Sequence, residues 1–136
     1  MYTLLKTIAT AESYEFMYAR RDFQNLLTTI PTGQTHLILD PVEITETFDE
    51  FNVVTGKQYS GQFLLVVSSD IDKGDYEDRY IDEIQPLLTG AIETIKSSLK
   101  CTGSVDIQLW RTVEVINMFD YNVDGISVTF QVLENV

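Results

Sequence analysis

Apolar residues spaced three and four positions apart predict two helices along the chain. The first covers residues 2–11, and the second covers about residues 79–99. In the second helix the apolar residues form one stripe that faces the core: Ile81, Ile84, Leu88, Ala91 or Ile92, Ile95 and Leu99. Pro86 lies within this pattern and lacks the amide that would bond back to Asp82, which predicts a kink or a later start of the helix.

Apolar runs and alternating residues predict four strands in two pairs. They cover about residues 34–47, 58–69, 104–118 and 126–133. The second contains the apolar run Phe63–Val67, which is typical of a central strand covered on both faces. Asp40-Pro41 interrupts the first strand, and because proline has no amide for a strand ladder, we expect an edge position or a bulge there.

The last two strands alternate apolar and polar residues, as antiparallel strands packed on one side do. In the third strand, one face is expected to carry Val105, Ile107, Leu109, Val113 and Val115. No internal repeat or linker divides the chain, so we expect a single domain over residues 1–136. The expected fold is α+β, with a mainly antiparallel four-stranded sheet, helices packed on one face, and the order α-β-β-α-β-β.

Charge and composition exclude several classes of function. The net charge is -12, from 21 acidic and 9 basic residues, which argues against gripping nucleic acid or an anionic membrane. One cysteine, Cys101, and one histidine, His36, leave little room for a disulfide, a thiolate zinc site or histidine-centred catalysis. We therefore expect no catalytic residue and no cofactor. The longest apolar run is far shorter than the roughly 20 residues that span a bilayer, so we expect a cytoplasmic protein.

The segment Asp120–Gly125 reproduces the first half of a calcium-binding loop, with oxygen ligands at Asp120, Asn122 and Asp124. The second half fails, because the twelfth position is Gln131 and the intervening residues alternate as a strand does. Aspartate, asparagine and glycine also suit a tight hairpin turn. The turn is the favoured interpretation, and the three residues remain a weak metal candidate.

A second acidic group, which we call the acidic segment, covers Asp70–Asp78 between the second strand and the second helix. It holds five acids, but their spacing matches no calcium loop. Acids ahead of a helix complement its dipole, and Asp75 or Asp78 is suited to cap it. Capping and solvation are therefore favoured over cation binding.

Two segments carry a resemblance to a known family. The strand Tyr59–Val67 leads into the acidic segment and the helix, and in Asn117–Phe130 an Asp/Asn-Gly turn feeds the last strand. Together with the order of elements, they resemble the tail-terminator or tail-completion proteins of long-tailed bacteriophages and the related head-to-tail neck proteins. The resemblance covers about residues 2–133.

The resemblance implies a structural role without catalysis. Family members form rings, commonly hexamers, so a hexameric ring is expected here and a dodecamer is the alternative. Such a ring ends growth of the tail tube at its head-proximal end and binds tail-tube and neck proteins. DNA passes through it without specific binding, and the protein, made in the cytoplasm of the bacterial host, belongs to the virion.

Three segments are candidates for the contacts of such a ring. They are the connection after the first strand (Phe48, Asp49, Glu50, Phe51), the acidic segment (Asp70, Asp72, Asp75, Tyr76), and an N-terminal aromatic segment (Tyr14, Phe16, Tyr18). Core packing is an equal alternative for the aromatic segment. The acids of the first two segments are also candidates for a channel lining that repels DNA. The alternatives to the ring protein are a self-associating, non-catalytic binding module and, third, a small metal-dependent enzyme.

Overall fold

A computed structural model describes residues 1–20, 33–69, 72, 74–118 and 122–135. Three α-helices are described: α1 (Tyr2–Ala11), α2 (Tyr76–Arg79) and α3 (Ile92–Cys101). Two π-helical turns, Tyr80–Ile84 and Leu87–Ala91, join α2 to α3 in one continuous helical segment. The strands are β1 (Glu15–Tyr18), β2 (His36–Leu39), β3 (Glu43–Phe48), β4 (Val54–Ser68), β5 (Val105–Met118) and β6 (Val123–Glu134).

The described strands form one six-stranded mixed sheet in the order β1-β2-β4-β6-β5. β3 also pairs with β4, so β2 and β3 lie end to end along the same side of that long strand. β1 runs parallel to β2, and the other pairs are antiparallel. The expected α+β class is confirmed.

The expected four-stranded antiparallel sheet and the order α-β-β-α-β-β are wrong, for two reasons. Asp40-Pro41 divides the predicted first strand into β2 and β3, as the missing proline amide requires. The four residues of β1 add a further, parallel strand whose partner lies some twenty residues away in sequence. The expected central position is confirmed for Phe63–Val66, since β4 is paired there with β2 on one side and with β6 on the other, whereas Val67 is paired with β6 alone in the described sheet.

The main core lies between the helices and one face of the sheet. β4 and β6 contribute alternate residues to it: Phe63, Leu65, Ile126, Val128, Phe130 and Val132. The helices contribute Leu5, Ile8, Ala9, Ile84, Leu87, Ile92, Ile95 and Leu99. A second, smaller buried cluster on the opposite face contains Ile38, Leu64, Val66 and Val123.

The buried stripe of the second helical segment differs from the predicted one at its start. Ile81 is 49% exposed, whereas Arg79 is buried. A π-helical turn closes through i→i+5 bonds, so the residue one turn before Ile84 is Arg79. The second π-helical turn likewise separates Leu87 from Ile92 by five residues. Two wide turns thus replace the expected regular spacing, and the helix begins at Tyr76 instead of later.

A bulge in β5 changes which residues face the helices. The register with β6 shifts between Ile107 and Leu109, and a one-residue shift turns all the following side chains to the other face. Val105 and Ile107 therefore face the main core, whereas Leu109 and Val113 lie on the opposite face and are exposed. The predicted single apolar face from Val105 to Val115 is wrong for this reason.

Candidate interaction site

The most prominent surface feature is the hairpin formed by β3 and β4. β6 pairs with β4 only from Lys57 onward, whereas β3 continues to pair with β4 up to Phe48 and Val54. Residues 48–54, which we call the hairpin tip, therefore extend beyond the rest of the described sheet. Half of the predicted connection of residues 48–57 is thus strand, and the turn covers only residues 49–53.

Hydrogen bonds within the turn fix the conformation of the hairpin tip. Asp49 Oδ1 accepts from the backbone amides of Phe51 (2.8 Å) and Val53 (2.9 Å). The Asp49 amide donates to the Val53 carbonyl at 3.0 Å, which closes the turn. Asn52 adopts a left-handed backbone (φ 59°), a conformation that asparagine tolerates better than most residues. The tip is therefore ordered before any partner binds.

Large apolar side chains at this ordered tip are exposed to water. Phe51 is 76% exposed, and Phe48, Val53 and Val54 are also exposed. Exposed apolar residues that lie together mark interaction sites more often than isolated ones do. Because the turn is already fixed, binding through Phe51 would lose little conformational entropy. The tip is thus suited to insert an aromatic anchor into a partner surface.

A polar network joins the base of the hairpin to the sheet. The Tyr59 hydroxyl donates to Glu134 Oε2 at 3.0 Å, and Lys57 Nζ lies 3.4 Å from Glu46 Oε1. Burial, together with the hydrogen bond to Glu134 and the charge of that carboxylate, raises the pKa of Tyr59. The negative charge of ionised Tyr59 and the hydrogen bond to Glu46 raise the pKa of Lys57.

Alkaline pH is expected to weaken this network. A pKa of Tyr59 that is higher in the folded chain than in the unfolded one favours the neutral phenol, so its stabilising effect is present at neutral pH and is lost as pH rises beyond about 10. Tyr59→Phe cannot ionise and should lose less stability between about pH 9 and pH 11 than the unaltered protein. Urea unfolding at both pH values measures the difference; equal losses would contradict the assignment.

The aromatic segment divides between the core and the surface. Tyr14 and Phe16 are partly buried and pack against the main core, as the core alternative expects. Tyr18 is 51% exposed and stacks edge to face with Tyr2, with ring centroids 5.4 Å apart. A shallow groove of about 270 Å³ beside this pair also includes Ile44 of β3. Of the three candidates, Tyr18 alone is exposed, and it lies beside the groove that Ile44 of the hairpin strand β3 also lines.

The acidic segment is described in part, since Asp70 lies outside the described residues. Asp75 caps α2, and its Oδ1 accepts from the Glu77 amide at 2.9 Å. Asp72 is exposed, and Tyr76 is 66% exposed. The cap confirms the predicted role of Asp75.

The three residues that were a weak candidate for metal binding are Asp120, Asn122 and Asp124, and the structure does not describe them as one site. Asp120 lies outside the described residues, and Asn122 occupies the turn between β5 and β6 with a left-handed backbone (φ 48°). Asp124 lies within β6 and is fully buried. Its carboxylate accepts from Ser69 Oγ at 2.7 Å and pairs with Arg79 Nη1 at 3.3 Å. Asp124 is thus committed to an ion pair in this structure.

The buried pair of Arg79 and Asp124 was not predicted. Arg79 Nη1 also donates to Ser69 Oγ at 2.7 Å, so three side chains from α2, β6 and the end of β4 meet in one network. In the sequence, Arg79 follows four acidic or aromatic neighbours and resembles part of a solvated surface. Arg79 precedes Ile84 by five residues, and a π-helical turn places residues that are five apart on the same face of the helix. This spacing is the only feature of the sequence that indicates the burial of Arg79.

The three predicted interface segments do not form one surface. The hairpin tip precedes β4 and the acidic segment follows it, so the two lie at opposite ends of this 15-residue strand. At roughly 3.3 Å per residue, the strand separates them by about 45 Å. The aromatic segment lies at the sheet edge, where β1 pairs with β2.

Among the residues that the structure describes, no three His, Cys, Asp or Glu side chains lie together in a way that would hold a metal ion. None of the helices described here has the length and apolar character needed to cross a membrane. A comparison with models of known protein families gives no match, and neither does a comparison with curated proteins.

Proposed function

We propose that the chain is a structural assembly protein of a long-tailed bacteriophage. It forms a ring at the head-proximal end of the tail or in the neck, ends growth of the tail tube and joins the tail to the head. The observation that supports this proposal is the ordered, apolar hairpin tip that extends beyond the sheet. The phage assignment itself rests on the sequence resemblance.

The hairpin tip suits a ring because ring formation needs two different surfaces on each subunit. In a heterologous interface, one patch of a subunit meets another patch of its neighbour, and the chain of contacts closes by rotation. A projecting tip with Phe51 at its end supplies one member of such a pair. Burying a phenylalanine side chain in a partner contributes about 1.5–3 kcal/mol per contact before the cost of association.

The acidic segment supplies a surface for the channel of the ring. Asp72, Asp75, Glu77 and Asp78 are exposed, and Arg79, the basic residue that follows them, points into the core. The outward charge here is therefore negative. Carboxylates repel the phosphate backbone, so DNA would pass such a lining without binding.

The mass of the protein in solution tests the proposal. We expect native mass spectrometry and light scattering to give six or twelve times the 15.5 kDa of one chain, and electron microscopy to show a central hole. Phe51→Ser should dissociate the ring. Tyr76→Ser, which alters a similarly exposed aromatic residue at the other end of β4, should not.

A second experiment separates the phage role from self-association in another setting. The genes beside the one encoding this chain should include portal, tail-tube and tape-measure genes, and the protein should stop polymerisation of that tail-tube protein. The proposal would be contradicted if the protein remained monomeric at high concentration and also left the length of the tail tubes unchanged. A ring without tail genes and without an effect on tubes would favour the self-associating binding module.

A further inference from the structure

One exposed surface lies at the far edge of the sheet from the hairpin. Leu109, Arg111 and Val113 occupy alternate positions of β5, so their side chains share the face opposite the helices. Leu109 is 47% exposed and Val113 is 53% exposed. We call these three residues the β5 surface. It belongs to the last strand in the described sheet order, whose outer side has no described partner strand.

Arg111 is unusual in a chain with a net charge of -12. It is exposed and makes no ion pair within the part of the chain that the structure describes. An unpaired cation between two exposed apolar side chains is complementary to a partner surface that carries a carboxylate between apolar side chains. Charge complementarity of this kind directs association and fixes its register.

The hairpin tip has that complementary pattern. Glu50 is exposed, makes no ion pair with any described residue, and lies between the exposed Phe48 and Phe51. The carboxylate of Asp49, in contrast, already accepts two hydrogen bonds from backbone amides of the turn. Glu50 is therefore the tip carboxylate that is available to a partner.

The two surfaces cannot meet within one copy. The sheet order places β4 and β6 between the hairpin strand β3 and β5. Arg111 pairs in register with Thr129, which pairs with Gln62, and Gln62 lies about eight residues along β4 from the tip. That offset is roughly 25 Å along the strand direction. The hairpin tip and the β5 surface lie at opposite edges of one subunit, and this arrangement suits a head-to-tail contact between copies.

We propose that the hairpin tip of one copy docks on the β5 surface of the next, with Glu50 pairing with Arg111 and Phe51 packing against Leu109 and Val113. This inference rests on the proposed function, because it names the contact that closes the proposed ring. It also assigns Glu50 to the subunit interface and leaves the channel lining to the acidic segment.

Charge reversal tests this contact. Glu50→Arg and Arg111→Glu each place like charges together and should raise the concentration needed for assembly on the order of tenfold or more. The double variant should restore the ring. An equimolar mixture of the two single variants should also restore it, because copies that alternate around a ring with an even number of subunits place opposite charges at every contact.

The matched control for Arg111→Glu is Lys100→Glu, which makes the same change from a cation to an anion at an exposed residue near the end of α3. It should leave the assembled mass unchanged. All variants are measured as full chains by native mass spectrometry, or bound to tail tubes if the unaltered protein assembles only there. Circular dichroism confirms that each single variant is folded.

The outcomes separate this inference from the proposed function. If the unaltered chain forms a ring and both single variants keep it, the Glu50–Arg111 contact is wrong and the ring stands. If the single variants dissociate but neither the double variant nor the mixture recovers, the pairing is also wrong. If the unaltered chain neither forms a ring nor binds tubes, the proposed function fails, and this contact fails with it.

Discussion

Arg79→Met is expected to lower the free energy of unfolding by about 3–5 kcal/mol, the cost of leaving one partner of a buried ion pair without its counter-charge. The Arg79 side chain is 2% exposed and that of Asp124 is fully buried. Without the guanidinium, the buried carboxylate of Asp124 would lose its counter-charge, and the Ser69 hydroxyl beside it carries no charge to replace it. Methionine keeps the apolar stem of the side chain, so the charge accounts for most of the expected loss.

Urea unfolding monitored by circular dichroism measures this loss, with Lys100→Met as the control. Lys100 is an exposed cation near the end of α3, outside the proposed subunit contact, and its replacement should change the stability by no more than about 0.5 kcal/mol. The double variant Arg79→Met/Asp124→Leu removes both charges and should recover much of the loss, because a buried pair is often replaceable by apolar residues. Equal unfolding midpoints for Arg79→Met and Lys100→Met would show that the pair does not hold α2 on the sheet.

The repeating patterns in the sequence identified those elements whose burial follows a regular period. β6 alternates strictly, so Ile126, Val128 and Phe130 all face the main core, as predicted. The division of the first strand at Asp40-Pro41 was also predictable, because a missing amide has a local effect. The positions and types of these elements follow from interactions between residues close in sequence, and a single sequence is enough to predict those.

The features that the sequence did not reveal depend on departures from those periods. The bulge between Ile107 and Leu109 reverses the faces of β5 without any unusual residue to indicate it. The π-helical turns exchange Ile81 for Arg79 at the core. The parallel pairing of β1 with β2 joins segments that are distant in sequence, and local patterns contain no information on such pairing.

The candidate site was predictable in its residues but not in its form. Phe48, Asp49, Glu50 and Phe51 were selected because they lie in a connection with apolar and acidic residues. The structure adds that β3 continues almost to the turn, that Asp49 fixes it, and that Phe51 is the most exposed of the large apolar side chains described. Exposure and projection arise from where the neighbouring strand β6 ends, which is a property of the whole sheet.

Gly125→Ala is expected to destabilise the protein by about 2–4 kcal/mol or to prevent folding, because overpacking against a rigid neighbour costs more than the usual 1–3 kcal/mol. Gly125 lies in β6 opposite Val66 of β4. A methyl group there would collide with the carbonyl oxygen of Leu65 and come within 2.8 Å of Val66 Cα. These are backbone atoms of a strand paired on both sides, so they cannot move aside without disturbing the sheet.

Gly90→Ala is the matched control, with the opposite expected sign. Gly90 lies exposed in the second π-helical turn, and no atom lies within 4 Å of an added Cβ. Alanine should stabilise the helical segment there by about 0.5–1 kcal/mol. Thermal and urea unfolding of both variants measure the contrast. If Gly125→Ala were as stable as Gly90→Ala, the close approach of β4 and β6 would be wrong, and with it the register that buries Asp124 beside Arg79.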